Sequence, residues 1–98
     1  MHESRFSDRF SVSIPVRLSG PSGEVSACMV DVSLGGAGVH CTLGDIRPGD
    51  KVKLIVADRG YPAQVAWASM GRLGVKFEQA LTHGPLYHLA KALPELAA

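Results

Sequence analysis

The sequence predicts an all-β domain, a six-stranded antiparallel β-barrel with a C-terminal α-helix packed on it. Three observations lead there. Apolar and polar residues alternate in short runs from Val12 to Phe77. Clusters rich in Gly, Pro, Asp and Ser punctuate those runs at close intervals. Near the end the period lengthens: Leu86, Leu89, Ala90 and Leu93 fall at i, i+3, i+4 and i+7, the stripe of an amphipathic helix. Such a stripe must be buried, most simply across one end of the barrel.

Each element can be justified in order. Residues 1–11 read as a flexible arm with Phe6 and Phe10 as its only large apolar groups, residues 12–79 as the barrel and 82–93 as the helix, all in one domain spanning 1–98. In the first strand Val12, Ile14, Val16 and Leu18 alternate with Ser13, Pro15, Arg17 and Ser19. Pro15 places that strand at an edge or next to a bulge. Gly20-Pro21-Ser22-Gly23 is a turn. The next two strands flank Asp31-Val32-Ser33-Leu34-Gly35-Gly36, where the two glycines supply residues tolerant of positive φ. A two-residue loop at Leu34-Gly35 sets a register in which Cys28, Val30 and Val32 share the core face with Ala37, Val39 and Cys41. Cys28 and Cys41 are then cross-strand neighbours, read as buried free thiols rather than a disulfide. Val52, Leu54 and Val56 form the fourth strand, and Asp58-Arg59-Gly60 the hairpin connection after it. Tyr61, Ala63, Val65 and Trp67 face one way in the fifth, which makes Trp67 chiefly a core residue. Leu73, Val75 and Phe77 alternate in the sixth. Thr82 is the expected N-cap, Pro85 suits the first helical turn, and Pro94 is expected to end the helix.

Composition excludes several functions. With 98 residues there is room for one core, and 46% apolar residues suffice to build it. No apolar run approaches the roughly 20 residues that cross a bilayer, so no membrane insertion is expected. The polar N-terminus carries no secretory signal, which makes the cytoplasm the default location. Ten basic and nine acidic residues leave the chain nearly neutral, whereas general nucleic-acid binding wants a basic excess. Neither the two cysteines nor His2, His40, His83 and His88 have metal-ligand spacing, so no metal and no cofactor are expected. No nucleophile motif or carboxylate pair supports catalysis. The chain reads as a binding module and not an enzyme.

What remains is a pair of motifs. Asp31 and Ser33 are two apart in an extended segment, so they share a face, with glycine backbone beside them. Upstream, Arg5-Phe6-Ser7-Asp8-Arg9 places two guanidiniums four residues apart. A guanidinium fork matches phosphate oxygens or the O6/N7 edge of guanine, and it stacks on bases. A carboxylate accepts from guanine N–H groups. The ligand suited to this set is anionic and carries purine rings. Trp67 is a further candidate if its edge reaches the barrel rim.

Here the chain resembles the PilZ domain family, whose signature is Arg-x-x-x-Arg followed by Asp/Asn-x-Ser-x-x-Gly. Arg5 and Arg9 match the first part, and Asp31, Ser33 and Gly36 the second. The two parts stand about twenty residues apart, in order, around the first strand pair. The Val65-x-Trp67 and Gly74-Val75-x-Phe77 segments also look like the family's last strands. The resemblance covers nearly the whole chain and implies a bacterial receptor for the second messenger cyclic di-GMP. It implies ligand contacts from Arg5, Arg9, Asp31, Ser33 and Gly36, with Ser4, Gly35 and Trp67 as weaker candidates. It implies an arm that folds over the ligand and a downstream protein partner, with homodimer formation on ligand binding among the states allowed. Many family members carry Arg or a bulky apolar residue just before the first motif Arg. Here that position is Ser4, which leaves the number of bound ligands open. The competing readings are a PilZ-like interaction module that no longer binds nucleotide and, more weakly, a nucleic-acid-binding barrel.

Overall fold

The computed structural model describes residues 10–41 and 46–97. Six strands form the wall: β1 (Phe10–Gly20), β2 (Gly23–Val32), β3 (Gly36–His40), β4 (Lys51–Val56), β5 (Arg59–Ser69) and β6 (Arg72–Phe77). They close in the order β1-β2-β3-β6-β5-β4, every pairing antiparallel. Closure leaves no continuous free edge. Pro15 is compatible with this because β1 meets β4 only over Arg17–Ser19, beyond the proline. Inward positions of all six strands fill the interior, with Leu18, Met29, Val39, Leu54, Val65 and Val75 fully buried.

Helix α1 (Pro85–Ala97) follows the barrel, and its Leu86 and Ala90 are buried in the same core. Two details depart from expectation. The first intrahelical bond runs from His88 N–H to the Gly84 carbonyl at 3.0 Å, so Gly84, with φ +94°, is the cap. Thr82 instead meets the His83 ring, its Oγ1 2.9 Å from Nδ1. The helix also continues past Pro94. A proline near a helix end forfeits one backbone bond but has a helix-compatible φ of its own.

Two bulges correct the expected register. The β2–β3 hairpin begins as predicted, with Val32 opposite Ala37 and Asp31 opposite Gly38. Val30 is then extra, so Met29 pairs with Val39 and Cys28 with His40. A bulge re-aims every residue beyond it. Met29 therefore takes the core position expected of Val30 and Cys28, which are only half-buried. Cys28 and Cys41 are free and are not cross-strand partners. The second bulge lies at Ala66, between the pairs Val65–Val75 and Trp67–Gly74. It turns Trp67 out of the barrel, where it is 45% exposed, and brings Ala68 against the core in its place. The β4–β5 turn is a third, smaller correction. Val56 pairs with Arg59, so the turn is Ala57-Asp58, and Gly60 lies within β5.

Candidate functional site

The β2–β3 turn is anchored to the chain that leaves β6. Ser33 N–H donates to the Gly36 carbonyl at 2.8 Å and closes the two-residue loop. Phe77 N–H donates to the Gly35 carbonyl and Leu81 N–H to the Leu34 carbonyl, each at 2.9 Å. Ser33 is the sole buried polar residue among those described, and its Oγ lies 3.3 Å from the Gly36 carbonyl oxygen. A hydroxyl donating there still has lone pairs to offer.

Gly36 is required for a different reason from the one expected. Neither Gly35 nor Gly36 takes a positive φ. A Cβ on Gly36 would fall on the Val75 carbonyl oxygen of β6, so this position demands absence of a side chain, not backbone freedom. Gly35 has open space around it. Asp31 points outward from β2, half-buried, and its carboxylate lies against Gly38. Asp31, Ser33 and Gly36 thus meet at one end of the barrel.

Arg5, Arg9 and Ser4 lie outside the described residues. The root of their arm does not. Ser11 of β1 stands directly opposite Asp31, and Phe10 opposite Val32. The described part of β1 therefore begins beside the Asp31 turn.

Trp67 stands on the same outer face, two strands beyond β3. Sequence reasoning put it in the core because one extra residue, Ala66, is invisible to a strict alternation. It also passed over Gly38 and Gly74, the strand glycines under Asp31 and Trp67. A glycine inside an alternating strand signals close approach, and that signal was present at both positions.

At the same end a cavity of about 480 Å³ opens between β5 and the β6–α1 connection, lined by residues including Arg59, Tyr61, Phe77, Glu78 and His83. Its wall is the segment tied to Leu34 and Gly35. No helix among the described residues is long and apolar enough to cross a membrane.

The family model for the PilZ domain matches residues 3–90, nearly the whole chain and both signature motifs. The chain belongs to the PilZ domain family. Among solved structures it is similar to the PilZ domain of CeSA from a cellulose-synthesizing bacterium, at 20% identity and a TM-score of 0.60. That match covers 94% of this chain and all of the other, and it establishes the barrel-plus-helix fold. No curated protein matches the chain.

Proposed function

We propose that this PilZ domain is a receptor for cyclic di-GMP that acts through a partner protein and performs no catalysis of its own. Arg5 and Arg9 clamp phosphate oxygens and guanine edges. Asp31 accepts from guanine N–H groups, and Ser33 with the Gly36 backbone completes the floor. Trp67 offers a ring face on the same side. Ligand binding orders the arm against the barrel, and a downstream protein reads the ordered form. No cofactor takes part, and Ser4 bears on whether two liganded chains associate.

The observation that carries this reading is the pairing of Ser11 with Asp31. It sets the first described residues, which follow the Arg-bearing segment in sequence, beside that carboxylate. Titration calorimetry with cyclic di-GMP, with GTP as a control, tests it. Saturable binding of the dinucleotide, with a rise in melting temperature, is expected. A ligand at 100 times its Kd that binds only the folded state adds about 2.7 kcal/mol of stability. A flat titration would leave an interaction module that does without nucleotide.

A further inference from the structure

One register row crosses four strands on the outer face. Asp31 of β2 stands opposite Gly38 of β3, Gly38 opposite Gly74 of β6, and Gly74 opposite Trp67 of β5. With neighbouring strands about 4.8 Å apart, the row's ends are separated by roughly 14 Å of sheet. The two middle positions are occupied without side chains of their own. A Cβ on Gly38 would stand 2.5 Å from Asp31 Oδ2 and 2.9 Å from Cγ. A Cβ on Gly74 would fall on the Trp67 indole nitrogen, with Cδ1 2.8 Å away. Neither glycine has a left-handed φ, so space is what each provides.

The consequence is that two chemistry-bearing groups lie down on adjacent strands. The carboxylate lies across β3 and the indole across β6. We propose that Gly38 and Gly74 are positioning residues of the nucleotide site, which hold the Asp31 carboxylate and the Trp67 indole low against the sheet and at a fixed spacing. A purine that stacks on the indole then directs its N–H edge toward Asp31. This rests on the reading of the domain as a cyclic di-GMP receptor and adds to it what fixes Asp31 and Trp67 in place. The Ala66 bulge is part of the device, because without it the indole would point into the barrel. An aromatic laid over a cross-strand glycine also supports a sheet, and the experiment separates the two roles.

Trp67 is the only tryptophan, so its emission reports on this spot alone. The full chain and the variants Trp67→Phe, Trp67→Ala, Gly74→Ala and the double variant are melted, then titrated with cyclic di-GMP by calorimetry and indole fluorescence. Saturation is expected to change wild-type emission. Trp67→Ala and Gly74→Ala should each weaken binding about tenfold, the scale of one base–aromatic contact. Trp67→Phe should recover most of the loss. Gly74→Ala should cost nothing further once the indole is gone, since it acts through the indole. Gly38→Ala should weaken binding no more than Asp31→Ala. A wild type that binds with unchanged emission, and Trp67→Ala at wild-type affinity, would overturn the platform and leave the receptor reading standing. Full additivity in the double variant would overturn the positioning role of Gly74. A flat wild-type titration removes both readings. Should Gly74→Ala not fold, the comparison of Phe and Ala at residue 67 still decides, equal affinities overturning the proposal.

Discussion

Two of the barrel's hairpin turns use glycine in opposite ways. The β5–β6 turn holds Met70 at φ 52° and Gly71 at φ 83°, both left-handed, as a tight hairpin turn requires. Its tip stands in solvent, with Met70 98% exposed. The β2–β3 turn contains no positive φ, buries Ser33, and is bonded through Gly35 and Leu34 to the end of β6. In the first, glycine satisfies a dihedral angle. In the second, Gly36 lets one strand's backbone approach another's carbonyl. Gly71 also accepts a bond from Cys41 N–H at 2.8 Å, but through its carbonyl, which any residue would supply, so the first turn is replaceable in side chain, whereas the second admits no side chain at Gly36. Fixity suits a ligand floor, because nothing there need be ordered when the ligand arrives.

Gly36→Ala breaks that comparison most sharply. Its Cβ collides with backbone, which cannot swing aside as a side-chain tip would. The expected loss is about 3 kcal/mol, the upper part of the overpacking range. In a domain of this size that lowers Tm by roughly 12–24 °C. Gly71→Ala meets nothing closer than 3.8 Å and faces only the left-handed penalty, roughly 1–2 kcal/mol. Thermal melts of the pair check this. Equal losses would show that both turns need glycine for the same reason.

Arg9→Ala tests the arm instead of the turn. One bidentate Arg–guanine contact is worth roughly 1–3 kcal/mol, about 5- to 150-fold in affinity. Because Arg9 precedes β1, Tm without ligand should stay within about 2–4 °C of wild type, the shift that about 0.5 kcal/mol produces in a domain of this size. Calorimetric affinity unchanged from wild type would remove Arg9 from the site.

Most of the fold was legible because alternation survives wherever strands are regular. The inward faces of β4 and β6 and the Leu86–Ala90 stripe all follow from spacing. The failures sit at Val30 and Ala66, where a single extra residue reverses the facing of its neighbours. Hydrophobicity alone hides these points: Val30 and Cys28 look as apolar as Met29. The helix cap was misplaced for a related reason, since Gly84 caps by adopting φ +94° and not by donating a side chain. The candidate site was legible as a motif, but its floor was not. Gly36, Gly38 and Gly74 are defined by what lies opposite them, which only the closed barrel reveals.

Ser33→Ala should have a smaller effect than either change above. The hydroxyl bonds the Gly36 carbonyl, which keeps its second partner, the Ser33 amide. Nothing buried is left unsatisfied, so the expected loss is about 1 kcal/mol, that of one ordinary hydrogen bond. A drop as large as that of Gly36→Ala would mean that the hydroxyl, and not the missing side chain, sets the turn.

The smallest effect should be a gain, and it comes from the other turn. Met70 holds a left-handed φ without the local hydrogen bonding that lets Asn tolerate it. Met70→Asn gives the β5–β6 hairpin the pairing its geometry favours and removes an apolar side chain from solvent. Stability should rise by about 0.5 kcal/mol, on the scale of other substitutions that fit the native backbone better. Cyclic di-GMP affinity should not move, because the Met70 side chain stands in solvent at the tip, two strand pairs beyond Trp67 and Gly74, and Gly36 and Phe77 lie at the opposite end of the barrel. A melt and a titration of the same variant check both halves. A loss of affinity would mean that the two ends communicate through β6, and the contrast between a replaceable turn and a fixed one would then fail.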